Sequence, residues 1–272
     1  MDTLTYFASQ SALTDLGKYG EQYAAVPADV TAICGVVQGL FLKQEERYKY
    51  PIVNERLLGT HARQVSAVLD WVMKFKKGGN VVDAREIPDK FLASSSDYAN
   101  LFVAICREKG IAARKRVGFA NGASCDYAEY WDGSAWKQID PSGEIEGEIV
   151  SAAKVWTACR AGEDDAAKYV ADAQTKHIGW EAVRTNLILD LAAMNKVELL
   201  NWDRYGWLLR PFADFSDKAL ATMDTAAAAL LKADEDFDAV LAVYENEEGL
   251  QAPRMIKCDT PLVPPHKAEL PL

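Results

Sequence analysis

The chain has 272 residues, of which 49% are hydrophobic and 26% charged, the balance of an ordinary folded protein and not of a disordered one. With 40 acidic against 30 basic residues, its formal charge is −10 at pH 7, which argues against non-specific nucleic-acid binding and against docking on anionic lipid. No apolar run approaches the roughly 20 residues that cross a bilayer, and the opening MDTLTYFASQSALTDLG lacks the basic and apolar regions of a secretory signal.

The first third reads helical. Pro27 fits a first helical turn, and Val30, Ile33, Cys34, Val37, Leu40 and Phe41 follow at helical spacing. Thr60 is placed to cap a second helix bearing Val65, Val68, Leu69, Val72 and Phe75, ended by Gly78 and Gly79. In the middle third, Ser94 to Ser96 precede a helix with Tyr98, Phe102, Ile105 and Cys106 on one side, stopped at Gly110. Two turn signals, Asn121-Gly122 and Asp132-Gly133, then punctuate strand-forming residues. They predict an antiparallel meander at about 112–120, 124–131 and 134–140.

Helical spacing returns in the last third. One stretch at 183–195 carries Leu187, Ile188, Leu191 and Met194 on one face. A second runs from Phe212 through Phe215, Ala219 and Met223 to Leu230, and a third from Phe237 to Tyr244. The proline-rich tail from Pro253 reads as an extended surface segment. Neither an internal repeat nor a linker is visible, so the expectation is one mixed α+β domain over 1–272. Its helical N-terminal part, central antiparallel sheet and helical C-terminal region surround a core at about 60–142.

The order of helix, strand and hairpin suits a site with a nucleophile at a helix N-terminus, a base on one strand and an orienting carboxylate on the next. Two stretches carry a resemblance at this point. SSSDYANLFVAICREKGIAAR (94–114) and DYAEYWDGSAWKQIDPS (126–142) resemble the nucleophile helix and the hairpin of the transglutaminase-like superfamily. VWTACRAGE (155–163) and VRTNLILDLAAMNKVELLNWDRYG (183–206) resemble segments of a bacterial subgroup of the same family. The resemblance implies a papain-like α+β fold. It also implies a Cys–His–Asp triad, and here the chain departs from the pattern. Counting from Asp97 and Glu129, Ser95 stands where the family has its Cys and Cys125 where it has its His; Asp140 remains.

A thiol becomes a thiolate when a neighbour helps, whereas a serine hydroxyl needs a general base within reach. The three histidines, His61, His177 and His266, are not placed beside Ser95 by anything in the sequence. Cysteine-dependent transglutaminase or protease chemistry is therefore not expected. Ser95, Cys125 and Asp140 are the candidate catalytic residues, with Ser94, Ser96, Tyr127 and Trp136 as candidate ligand contacts.

Each has a plainer reading. Ser95 serves as one of three serines available to cap a helix, Cys125 as a small strand residue in the space of an imidazole, and Asp140 as a turn former before Pro141. Arg114 and Arg116 share a strand face and read as solvated or salt-bridged more than as contacts for an acidic ligand. No metal and no cofactor is expected, since there is no glycine-rich phosphate loop and no histidine lies near Cys125, Asp126 and Asp140. The five cysteines are widely spaced without a CxxC, which points to mostly buried thiols in a reduced cytoplasm.

Two functions follow from this reading. The first is a non-standard enzyme acting on a small molecule or acyl substrate in a biosynthetic or modifying pathway, without the thiol mechanism. The alternative is an inactive transglutaminase-like pseudoenzyme that binds a ligand or protein partner.

Overall fold

A computed structural model describes residues 2–50, 54–76, 78–172, 177–260 and 264–272. In chain order the first elements are α1 (Thr3–Ala8), α2 (Val30–Leu40), β1 (Phe41–Lys43), α3 (Val65–Phe75), β2 (Phe91–Ala93) and α4 (Ser95–Glu108). The middle contributes β3 (Ala113–Ala120), β4 (Ala123–Trp131), β5 (Trp136–Ile139), β6 (Ile149–Ser151) and α5 (Ala152–Ala161). The remainder comprises β7 (Val170–Asp172), β8 (His177–Ile178), α6 (Trp180–Met194), β9 (Asp203–Arg204), α7 (Asp217–Leu231), α8 (Phe237–Asn246), β10 (Met255–Cys258) and β11 (His266–Glu269). No helix among the described residues is long and apolar enough to cross a membrane.

The mixed helix and sheet content is that of an α+β protein. The chain forms two compact units. An amino-terminal unit takes residues 2–115 and 127–144, and a carboxy-terminal unit takes 116–126 and 145–272. The sequence offers no linker because the division falls inside β3 and β4.

In the amino-terminal unit, α2, α3 and α4 bury Ile33, Val37 and Leu40 together with Val68, Leu69, Val72, Leu101, Phe102 and Ile105. Two of these helices start at side-chain caps, and α3 does not. Asp29 caps α2 by accepting from the Ala32 N–H at 2.9 Å, so Pro27 precedes the helix and does not lie in its first turn. Thr60 does not cap α3; its hydroxyl donates to the Leu57 carbonyl within a separate turn, and α3 starts after Gln64. Ser94 caps α4 in a reciprocal capping box with Asp97. The short parallel pair β1–β2 and the Phe41–Tyr98 edge-to-face contact at 5.2 Å tie α2 to α4.

The predicted meander is present as β3, β4 and β5. Asn121 and Gly122 both have positive φ (49° and 80°), the requirement of a type I′ hairpin turn. β4 and β5 pair antiparallel, with Glu129 opposite Gln138 and Trp131 opposite Trp136. In the amino-terminal unit Arg114 is buried, and its Nε donates to Glu129 at 2.6 Å. In the carboxy-terminal unit Arg116 is buried as well. Its Nε and Nη2 each donate at 2.9 Å to the two oxygens of Asp190, which also accepts the Val117 N–H at 2.9 Å. The arginine face is thus salt-bridged but not solvated.

The carboxy-terminal unit packs α5, α6, α7 and α8. α6 carries no single apolar stripe: every residue from Ala182 to Met194 is buried, and Arg184, Asn186 and Asp190 make internal hydrogen bonds. Asn186, for instance, donates to the Gly118 carbonyl at 2.9 Å. The spacing predicted from Phe212 begins as a helix only at Asp217, capped by Ser216; Phe212 instead stacks on Trp180 at 5.0 Å. The tail is not a plain extended segment. β10 and β11 form an antiparallel pair joined to β9, while 261–263 lie outside the described residues. All five cysteines are buried, and none forms a disulfide among the described residues.

Two stability effects follow. Asp190→Ala strands the buried Arg116 charge and is expected to cost about 3–5 kcal/mol in urea unfolding. Gly122→Ala places a Cβ 2.7 Å from the Lys168 carbonyl oxygen at a positive φ, whereas Gly133 has positive φ and open space around it. The first should cost about 2 kcal/mol or more and the second about 1 kcal/mol, measured side by side.

Candidate functional site

The start of α4 is built by local hydrogen bonds. The Ser94 N–H and hydroxyl both donate to Asp97 Oδ2 at 2.7 Å, and the Asp97 N–H returns to the Ser94 oxygen at 3.4 Å. Asp97 places a negative charge in the first helical turn, where the helix dipole favours it. Ser94 therefore takes the capping role that the sequence offered to any of three serines. Ser95 is the first helical residue and half-buried, and Ser96 is fully buried.

Asp140 follows β5 and closes the loop after it. Its Oδ1 accepts from the Ser142 N–H at 2.8 Å, its Oδ2 accepts from the Glu144 N–H at 2.8 Å, and the Ser142 hydroxyl lies 2.8 and 2.9 Å from the two oxygens. Both oxygens thus face hydrogen-bond donors. A cation would meet the positive ends of those donors, so the arrangement does not suit a metal.

The amino-terminal unit brings Asp140 toward the first turn of α4. The Tyr98 hydroxyl is held well above its ordinary range, chiefly by burial and further by acidic neighbours that include Glu144 and Asp140. α2 supplies the groups on the other side. The Gln38 side chain donates to the Pro141 carbonyl at 3.0 Å, and Lys90 Nζ donates to the Gln38 carbonyl at 2.7 Å. Lys43 pairs with Glu144 at 2.8 Å. Burial lowers the Lys90 ammonium from its ordinary value, while Glu144 opposes the shift.

Cys34 belongs to the same neighbourhood. Burial and then the Asp140 charge push its thiol up to about 11. That is the wrong direction for a nucleophile, which needs thiolate near neutral pH. Cys34, Gln38, Lys43 and Lys90 were not singled out from the sequence. Gln38 carried a signal, as a polar side chain on an otherwise apolar helix; Cys34 read as one more apolar position.

The remaining candidates have other settings. Trp136 covers Arg114, whose guanidinium lies 4.0 Å from the indole centre, and meets Phe7 and Trp131 edge-on. Tyr127 is 1% exposed. Cys125 belongs to the carboxy-terminal unit and is buried there.

With helix, hairpin and loop in place, the profile of the transglutaminase-like superfamily matches residues 53–141. No curated protein and no solved structure gives a significant match. The transglutaminase-like segment contains α3, β2, α4, the β3–β4–β5 hairpins and Asp140, so it holds the capped helix and the aspartate together. α2, which supplies Cys34 and Gln38, lies before it.

The raised Cys34 thiol gives a direct measurement. At pH 7.5 its thiolate fraction is small, so iodoacetamide should label it far more slowly than a solvent-exposed free cysteine in a model peptide. The rate should climb as pH rises toward 11. Peptide mass spectrometry of timed samples reads both.

Proposed function

We propose that the transglutaminase-like segment is a binding scaffold for a ligand or protein partner, and not a thiol-dependent acyl-transfer enzyme. The observation that carries this reading is the engagement of Asp140. An orienting carboxylate in a triad must offer an oxygen to an imidazole. Here both oxygens serve the N–H groups and hydroxyl of their own loop. The sequence supports the same conclusion, since by resemblance Ser95 and Cys125 occupy the Cys and His positions. Cys34 adds no substitute, because its thiol stays protonated at neutral pH.

The non-standard enzyme reading, with Ser95, Cys125 and Asp140 acting on a small-molecule or acyl substrate, has less support. It requires Asp140 to serve a reacting group as well as the three donors of its own loop, on a carboxylate with about four acceptor sites.

Two measurements separate the readings. Incubated with a glutamine-donor peptide and a labelled amine, the protein should give no product above the blank. Turnover that Ser95→Ala abolishes would overturn the proposal. Asp140→Asn turns an amide N–H toward a backbone N–H in the loop, and is expected to lower stability by about 1–3 kcal/mol. The enzyme reading expects the opposite pattern: a melting temperature nearly unchanged and turnover or ligand binding weakened at least tenfold.

A further inference from the structure

The last strand pair of the carboxy-terminal unit sets two metal-ligating side chains opposite one another. β10 and β11 run antiparallel with Cys258 directly across from His266, and directly opposed residues of antiparallel strands share a face. Burial alternates along β10, with Ile256 and Cys258 inward and Met255 and Lys257 outward. The Cys258 sulfur and a ring nitrogen of His266 lie within 4.8 Å of each other. Asp203 of β9 stands opposite Cys258 on the other side. A carboxylate, a thiol and an imidazole thus occupy one row across the sheet.

Cys258 is 0% exposed and packs with Leu200 and Trp202. A sulfur so enclosed is closed to a substrate, whereas His266 on the rim strand is half-buried and gives a small ion a way in. The His266 Nδ1 lies 3.2 Å from the Pro264 carbonyl oxygen. A carbonyl only accepts, so this bond forms with the hydrogen on Nδ1 and leaves Nε2 its lone pair, the state in which an imidazole ligates a metal. Metal-bound histidines are oriented in this way, by the other ring N–H on a carbonyl or carboxylate. Asp203 is fully buried, and its Oδ2 accepts the Leu200 N–H at 3.1 Å. Its charge, at the register position next to Cys258, favours a cation in the row.

The donor set selects the ion. Calcium and magnesium take oxygen ligands, while a thiolate with an imidazole suits zinc. A tetrahedral zinc ion holds sulfur at about 2.3 Å and nitrogen at about 2.0–2.1 Å, which sets the two atoms about 3.5 Å apart. The Cys258–His266 separation, at most 4.8 Å, admits that geometry. The sequence concealed the pair because the two residues meet only through the pairing of β10 with β11.

We infer that Cys258 and His266 are ligands of one zinc ion, with Asp203 stabilising the cation from the next register position and water or further donors completing its coordination. On binding, the Cys258 S–H bond breaks, the sulfur electron pair forms the Zn–S bond and the proton passes to solvent; zinc is neither oxidised nor reduced. Both ligands lie outside the residues that match the family profile, and the site is independent of the role proposed for that segment.

Cobalt(II) is the spectroscopic probe and zinc the competitor, added to the untagged full chain with its thiols reduced. Cobalt should give a sulfur-to-metal charge-transfer band in the near ultraviolet that saturates at one ion per chain, and zinc should abolish it. Cys258→Ser should remove the band, whereas Cys159→Ser, at a buried thiol elsewhere in the same unit, should keep it. His266→Gln should weaken zinc at least tenfold in competition with a chromophoric chelator, and should leave the melting temperature of the metal-free protein unchanged. Absence of the band, a band that survives Cys258→Ser, or undiminished zinc affinity in His266→Gln overturns the inference. So does a metal-free melting temperature that falls in His266→Gln, which would mean that the imidazole serves the fold. If Cys258→Ser fails to fold, the His266→Gln result decides alone.

Discussion

The bond between Arg116 and Asp190 is the constraint on which the carboxy-terminal unit depends. Both groups are removed from water, and an isolated buried charge is untenable in a folded protein. The geometry resolves this by a two-pronged guanidinium–carboxylate contact, with a third donor from the Val117 backbone. That third bond matters because it fixes α6 against the strand backbone as well as against a side chain. Asn186, one turn earlier, repeats the device by donating to Gly118. α6 is therefore registered on β3 by polar contacts at successive turns. Its apolar residues fill space around that register and do not set it alone.

The amino-terminal unit uses the same economy of donors and acceptors at the start of α4 and after β5. In each place a carboxylate closes on backbone N–H groups within four residues of itself: Asp97 on Ser94, and Asp140 on Ser142 and Glu144. Such local closure makes a rigid framework. At Asp140 it engages most of the roughly four acceptor sites of the carboxylate within its own loop. In the segment that matches the profile of the transglutaminase-like superfamily, Asp140 thus holds its own loop through the Ser142 and Glu144 N–H groups. The neighbouring thiol at Cys34 is held protonated by burial and by that aspartate.

Much of this was legible in the sequence, where the signal is local. The Asn121-Gly122 turn announced itself because few residue pairs accept two positive φ angles. α4 was marked by its serine run and its stop at Gly110. Long-range satisfaction was not legible. Thr60 has the chemistry of a cap, yet its hydroxyl found the Leu57 carbonyl first. α6 was read as one-faced because its polar residues look like a solvent side; only the partners Arg116, Gly118 and Ser124 show that they are buried. The strands of the tail escaped notice because four-residue strands among prolines carry almost no periodic signal, and their pairing depends on β9 some fifty residues earlier. In the same way Asp140 advertised a turn or a site equally, and the choice rested on where two N–H groups pointed.

The order β11–β10–β9 leaves β11 at the rim of its sheet. A rim strand shows a line of unpaired backbone groups that a second molecule can extend into a growing stack. Here the opening is short. Pro264 and Pro265 precede the strand and Pro271 follows it closely, and proline cannot donate to a ladder. Lys267 and Glu269 add charge along the four residues between. The proline-rich end of the chain thus acts as a selvedge. It lets the sheet finish in β structure while denying neighbouring copies a template for aggregation.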